Sequence, residues 1–285
     1  MSWSPVEQGI WGTSLSLKAP GDGLGSIQIA MASEVTKAMI LVAGEGTRLR
    51  PLTLDTPKVL LPIAGVPLIE HTLRWLKRHG IREVAINLYH LGDKIKAFLR
   101  DGSRFGIRVV YSEEKTLSGT AGGVKRMEHF FNGTFIVVYG DNLTNFDLSD
   151  MIEFHRQRKA IATVVIFEVP NPREVGVVDL SPEGRILSFI EKPQSLIYHP
   201  PVLASGGVYV FEKIILSYIP DQGFFDFACD VFPKLVELSS AVYGFKLKST
   251  DYFIDIGTLD KYQKANNDVK AGKIRIRHEG HSCIS

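Results

Sequence analysis

The stretch AMILVAGEGTRLRPLTLDTPK (38–58) decides the fold. It opens with six apolar residues, AMILVA (38–43), a run of strand length without alternation, as in a strand covered on both faces. From Ala43 the chain enters a loop whose Gly44 and Gly46 let the backbone turn sharply and approach a ligand with no Cβ in the way. Thr47 and Arg48 add a hydroxyl and a planar cation, and successive backbone N–H groups in such a loop form an anion-binding concavity. No GxxxxGK[ST] is present, so this is not a Walker A loop. Leu49 stands where the dinucleotide fingerprint needs its last glycine. A Gly-x-Gly after a strand also occurs in plain tight turns. Two cations tied to one glycine loop, Arg48 and Lys58, favour a polyphosphate at the sheet's C-terminal edge.

Working outward, PLIEHTLRWLKRHG (67–80) has apolar residues at helical spacing and closes on Gly80. EVAINL (83–88) is a strand, GDKIKAFLRDG (92–102) a helix, IRVVYS (107–112) a strand, AGGVKRMEHF (121–130) a helix and TFIVVYG (134–140) a buried strand. Strands and helices alternating at this spacing predict βαβ units and a parallel sheet. The second half is less regular. A helix over 147–160, capped by Asp147 or Ser149, precedes strands at 162–169, 176–180, 185–191 and 206–211, with a tight SPEG turn (181–184) between two of them. DFACDVFPKLVELSS (226–240) reads as helical up to Val231, with Pro233 disturbing or restarting it. VYGFKL (242–247) and YFIDI (252–256) are short strands, and LDKYQKANNDVK (259–270) is a last helix. Residues 1–32, rich in Gly and Ser and without periodicity, read as a disordered extension. Residues 33–285 form the single folded domain, with no repeat at solenoid periods and no β-helix after the last helix.

The 285 residues are 45% apolar and 22% charged, enough for a substantial core. Thirty-three Lys+Arg against thirty-one Asp+Glu give +2, too balanced for a module that binds nucleic acid through a dense basic face. The two cysteines, Cys229 and Cys283, are far apart and lack metal-ligand spacing, which argues for reduced thiols in a cytoplasmic protein. No apolar run has membrane-spanning length, and MSWSPVEQGIW lacks the basic start of a signal peptide. The expected partners are small molecules or proteins, with no membrane and no nucleic acid; a homo-oligomer is left open.

Asp141 ends the strand FIVVYGD and Asp255 lies in IDIGT, again directly after a strand-like run. Two carboxylates, completed by phosphate oxygens and water, suit Mg²⁺. Each has a plainer alternative: Asp141 starting a turn with Asn142, Asp255 capping the last helix. Lys192, in Glu-Lys-Pro, reads equally as an exposed lysine in a turn. His71, His79 and His90 form no metal-binding pair. The Phe224–Phe227 cluster reads as core or interface rather than a stacking platform, and the basic stretch 273–277 as solvated.

GEGTRLRPLT (44–53) with PK (57–58), PLIEHTL (67–73), GTAGG (119–123), YGD (139–141), IEKP (190–193) and YFIDIGT (252–258), in this order, resemble the signature of the sugar-1-phosphate nucleotidyltransferases. The resemblance runs from Lys37 to about Asn267. It implies an α/β, Rossmann-like three-layer fold with a mixed, mainly parallel central sheet. It also implies an Mg²⁺-dependent enzyme making an NDP-sugar and pyrophosphate from an NTP and a sugar 1-phosphate. On this resemblance Arg48 meets the departing pyrophosphate and Lys58 the α-phosphate. Ala43, Gly44, Gly46 and Thr47 hold the nucleotide, with Gly119 and Thr120 against the base. Glu191 holds sugar hydroxyls, Lys192 the sugar phosphate, and Ser205 and Gly207 lie at the sugar; Asp141 and Asp255 hold the metal. LSGTAGGV (117–124) and DFACDVFPKLVE (226–237) look most like bacterial mannose-1-phosphate guanylyltransferases, so GTP and mannose 1-phosphate are expected. Ser205, where relatives often carry Asn, and Phe253, where they often carry Trp, keep three readings open: a manno-heptose 1-phosphate guanylyltransferase, a glucose-1-phosphate uridylyltransferase or a glucose-1-phosphate thymidylyltransferase. A regulatory homologue without catalysis would be expected to lose Arg48, Lys58, Asp141, Lys192 or Asp255, all present here.

Overall fold

A computed structural model describes residues 34–170, 173, 175–193 and 202–274. The N-terminal extension and Cys283 lie outside them. In chain order the elements are β1 (Lys37–Leu41), β2 (Pro62–Ile63), β3 (Val66–Pro67), α1 (Leu68–Arg78), β4 (Glu83–Leu88), α2 (Gly92–Leu99) and β5 (Arg108–Glu113). Then come α3 (Gly119–Lys125), β6 (Phe135–Tyr139), β7 (Asn142–Thr144), α4 (Leu148–Gln157), β8 (Ala162–Val169), β9 (Gly176–Leu180) and β10 (Ile186–Glu191). The last are β11 (Val202–Phe211), α5 (Phe232–Glu237), β12 (Val242–Lys246), β13 (Phe253–Asp255) and α6 (Leu259–Lys270).

The apolar runs become strands buried on both faces, as their lack of alternation requires. In β1, Ala38 and Ile40 face one core with Ile69, Leu73 and Leu76 of α1 and Leu148 and Met151 of α4. Met39 faces a second core with Ala121 and Val124 of α3 and Phe232 and Leu235 of α5. The sheet therefore has helices on both sides. It is mixed and mostly parallel, ordered β10-β9-β11-β6-β1-β4-β5, with β8 joining β11 to β12. β6, β1, β4 and β5 run parallel, and β11 pairs antiparallel with β6.

The path β1–β4–β5 grows the sheet in one direction, and β6 then returns to the other side of β1. Loops leaving β1 and β6 diverge at that switch point and leave a crevice, the usual ligand position in open α/β sheets. A third cluster, with Leu143, Ile256 and Ala265 at its centre, fastens α6 and the β2–β3 hairpin beside this rim.

Most element positions follow the sequence reading. Over 226–240, a π-turn at Phe227–Val231 leads into α5, with Pro233 in its first turn, where its missing N–H costs nothing. Asp147 caps α4 by accepting from Ser149 and Asp150 N–H. Two differences concern the site. The helix read over 121–130 starts at Gly119 and ends at Lys125, followed by a separate 3₁₀ turn at Glu128–Phe130. β7 has no sequence counterpart, because three residues after a turn are too short to show a period.

Candidate active site

The glycine loop is built by local bonds. Gly46 takes the left-handed conformation (φ 66°), and its carbonyl accepts from Leu49 N–H (2.9 Å) and the Thr53 hydroxyl (2.8 Å). A Cβ at Gly46 would approach Thr53 to 3.1 Å, so glycine serves both the turn and this closure. Gly44 differs: a Cβ there would meet nothing within 4 Å. Packing within the protein does not demand a glycine at that position. Thr47 and Arg48 stand exposed in the 3₁₀ turn that follows.

Lys58 begins a second 3₁₀ turn and donates to Asp141 Oδ2 at 2.6 Å. Asp141 is presented by Gly140, whose N–H donates to the Leu41 carbonyl (2.9 Å) and where a Cβ would fall 2.8 Å from Val42 Cγ1. β13 pairs antiparallel with β7, setting Asp255 opposite Asn142, and Ile256 N–H donates to the Asp141 carbonyl at 2.9 Å. The two aspartates named from the sequence thus become neighbours across a ladder the sequence did not show. Asp255 caps no helix: its Oδ1 accepts from Gly257 N–H (3.1 Å) and its Oδ2 from Lys261 Nζ (2.5 Å), while Thr258 caps α6. Arg48 reaches the same segment; a Cβ at Gly257 would lie 2.8 Å from both Arg48 Nη2 and Asp255 Oδ1. Arg48, Lys58, Asp141 and Asp255 form one contiguous group.

Beside it lies a cavity of about 270 Å³, with Gly44, Lys58 and Asp141 on one side and Glu114, Gly119 and Thr120 on the other. Gly119 has φ 80°, and a Cβ there would fall 2.2 Å from the Phe225 carbonyl oxygen. That carbonyl accepts from Ala121 and Gly122 N–H (2.9 and 3.1 Å), welding the start of α3 to the Phe224–Phe227 segment. The Thr120 hydroxyl donates to Asp226 Oδ2 (2.7 Å) and accepts from Phe227 N–H (2.9 Å), so its side chain is engaged with protein. Phe227 is core, as read from the sequence. Phe224 is not: it is 64% exposed and stands at the cavity mouth with Leu117.

One buried network escaped the sequence reading. Asn87 Oδ1 accepts from Val42 N–H (2.8 Å) and its Nδ2 donates to Glu114 Oε1 (2.8 Å). Glu114 Oε2 accepts from Ser118 N–H (2.9 Å) and hydroxyl (2.6 Å). Glu114 is 7% exposed, yet it lines the cavity. A polar Asn87 inside the apolar run EVAINL was the available signal.

The sugar-side candidates lie with β9, β10 and β11. Glu191 pairs with Gly176, where a Cβ would fall 2.8 Å from Glu191 Oε2. Burial pushes the Glu191 carboxyl above its ordinary range, opposed by Lys192, whose Nζ lies 3.4 Å from Glu191 Oε1. Lys192 holds φ 43° in its turn. β11 shifts register between Ser205 and Tyr209. Gly207 is explained by Tyr139, whose Cγ would lie 2.4 Å from a Cβ there, and Gly206 by Phe253, whose Cζ would lie 2.8 Å away. Tyr139 lines the cavity and carries a hydroxyl pushed well up by burial, with Asp226 and Glu191 both adding to the effect. It connects the two groups of candidates.

For a divalent cation the donor chemistry fits: Asp141 and Asp255 supply hard oxygens on adjoining strand ends, each already facing an ammonium group. Among the described residues no group of three or more His, Cys, Asp or Glu gathers, so these two would need ligands from a substrate or solvent.

A Rossmann-like α/β domain whose switch point gathers cations, two acidic strand ends and a base-sized cavity defines a nucleotide-handling class. The chain belongs to the nucleotidyl transferase family, whose family model matches residues 37–272. It is 36% identical over 84% of its length to a UTP–glucose-1-phosphate uridylyltransferase of Synechocystis sp., covering 64% of that protein. It is 34% identical over 85% of its length to a mannose-1-phosphate guanylyltransferase of Mycobacterium tuberculosis, covering 67% of that protein. The chain thus spans about two thirds of the length of these curated relatives. Among solved structures, a Bacillus anthracis protein described as a glucose-1-phosphate thymidylyltransferase superposes with TM-score 0.73 at 27% identity, covering 82% of this chain and 94% of that one. HddC from Yersinia pseudotuberculosis gives 0.70 at 26%, covering 82% of this chain and all of that one, and has also been solved with GMP-PN. Among the described residues no helix is long and apolar enough to cross a membrane.

Proposed function

We propose that this chain is a sugar-1-phosphate nucleotidyltransferase that uses GTP, with mannose 1-phosphate as its sugar substrate. An oxygen of the sugar phosphate attacks the α-phosphorus of the NTP, the bond to the bridging oxygen breaks, and pyrophosphate leaves. The attacking oxygen is already anionic, so no general base is required. The obstacle is repulsion, about 4 kcal/mol for two like unit charges at ~4 Å and an effective dielectric of 20. In this reading Arg48 and the N–H groups of the glycine loop would hold the departing pyrophosphate, Lys58 the α-phosphate, Lys192 the sugar phosphate and Glu191 the sugar hydroxyls. Asp141 and Asp255 would hold Mg²⁺, which when bound supplies further neutralisation of phosphate charge. Catalysis is then positioning plus electrostatics.

The observation that carries the choice of base is Glu114. A carboxylate only accepts hydrogen bonds, and its two oxygens offer about four acceptor positions, of which Asn87 and Ser118 take three. The remaining position suits N1–H or the 2-amino group of guanine. Uracil offers one N–H flanked by two carbonyl oxygens, which a carboxylate repels. Phe224 and Leu117, exposed at the mouth, supply an apolar face for the base, and base–aromatic stacking contributes about 1–3 kcal/mol. The GMP-PN complex of HddC and the guanylyltransferase of M. tuberculosis support this reading. A second reading, UTP with glucose 1-phosphate, is favoured by the identity to the Synechocystis enzyme.

Pyrophosphate release measured with GTP, UTP, dTTP, CTP and ATP against mannose, glucose and heptose 1-phosphates tests both. GTP should exceed UTP in kcat/KM, and Glu114→Gln should narrow that preference roughly 10-fold or more, the scale of one lost recognition hydrogen bond to a charged group. A wild type that prefers UTP replaces the first reading with the second, and release with no pair of substrates defeats both.

A further inference from the structure

Three cationic side chains converge on the two acidic strand ends, and one of them, Lys261, is not needed by the proposed reaction. It lies in the first turn of α6, and its Nζ sits 2.5 Å from Asp255 Oδ2. The other Asp255 oxygen is held by Gly257 N–H at 3.1 Å. Arg48 Nη2 borders the same glycine. Asp141 is occupied in the same manner by Lys58. Both carboxylates are therefore paired with cations of the protein itself.

We propose that Lys261 is a built-in counter-ion that competes with the divalent cation for Asp255. This rests on the reading of Asp141 and Asp255 as metal ligands. Lys261 takes one position on the Asp255 oxygen that a divalent ion would approach and sets a like charge beside it, so metal entry is opposed for as long as the Lys261 side chain stays there. Both side chains of the pair are about one-third exposed, 35% and 34%, so Lys261 leaves into solvent rather than through a packed core. The cost of separating them is that of a partly exposed ion pair, and a nearby positive charge further opposes the incoming ion. The consequence is a site that binds metal weakly alone and well once an NTP brings its own phosphate oxygens. Metal and nucleotide then enter together rather than in sequence.

Binding of Mn²⁺ to the substrate-free full chain, read from the loss of the free-ion electron paramagnetic resonance signal, tests this without reference to turnover. Lys261→Gln and Lys261→Met both leave the backbone N–H that donates to Thr258 in the α6 cap, so both should fold as wild type. Each should tighten Mn²⁺ binding about 3–10-fold, the scale of an exposed ion pair together with one removed like charge. Unchanged or weaker binding in both variants overturns the proposal, and unchanged binding is the outcome if Lys261 serves only a substrate phosphate. Asp255→Asn separates the two levels. If it abolishes Mn²⁺ binding while the Lys261 variants change nothing, the metal site stands and the counter-ion role falls. If it leaves Mn²⁺ binding intact, the metal reading itself falls.

Discussion

Lys58 is paired in the protein with Asp141, itself a proposed metal ligand. Lys58→Ala should lower kcat roughly 10²–10³-fold, the scale of one preorganised electrostatic contact; unaltered pyrophosphate release would take Lys58 out of the reaction. Gly44 makes a complementary case. Since a Cβ there meets no protein atom within 4 Å, Gly44→Ala should leave denaturation midpoints within about 0.5 kcal/mol of wild type while raising KM for the NTP. A variant with wild-type KM would show that the space before Gly44 is not a nucleotide site. Lys58 and Gly44 were legible in the sequence because each belongs to a short local motif. Glu114 was not. Its meaning depends on Asn87 in β4 and Val42 just past β1, both distant in the chain.

At the level of elements, the start of α3 and the segment before α5 form one unit: the Phe225 carbonyl caps the first, and Asp226 joins Thr120 to the first N–H groups of the second. Gly119 is the tightest point of that joint. Gly119→Ala adds a Cβ 2.2 Å from a backbone oxygen at φ 80°, and should destabilise the protein by about 1–3 kcal/mol, the range for overpacking plus an unfavourable backbone conformation. Urea denaturation checks it, and a midpoint equal to wild type would mean that the α3–α5 joint is loose. The contrast with Gly44 separates a glycine that the fold requires from one that packing within the protein does not require. The GTAGG motif was readable as a site, but its structural half was not, since Phe225 lies more than a hundred residues away in the chain.

Across the whole molecule, the rim opposite the site is tied by His155, which is buried between the Thr163 hydroxyl (Nδ1, 2.8 Å) and Glu212 (Nε2, 3.3 Å), with Thr134 donating to the same glutamate at 2.6 Å. Burial holds the His155 pKa below its ordinary value, outweighing the attraction of Glu212. The unfolded chain then binds the proton more readily, so this contribution to stability is present above the ordinary histidine pKa of about 6.5 and is lost as pH falls below it. Denaturation midpoints should drop between pH 7.5 and 5.5, and His155→Gln should flatten that slope. A slope unaltered by the substitution would place the pH sensitivity elsewhere; His79, also lowered by burial, is the next candidate.

The alternation of apolar runs with amphipathic helices, and the glycine loop after the first of those runs, follow from the sequence alone. Each is a matter of spacing within a few residues, where period and backbone freedom leave little choice. Tertiary structure decided what those pieces do together. Antiparallel pairing of β7 with β13 brought Asp141 beside Asp255, and the turn of Gly140 over β1 brought Lys58 to Asp141. The start of α6 added Lys261, and the β5–α3 connection turned Glu114 into the cavity. Two of these juxtapositions, Lys58 with Asp141 and Asp141 with Asp255, join residues more than 80 positions apart. A one-residue change in the β7–β13 register would move Asp255 away from Asn142, and no pattern within either short strand encodes that register.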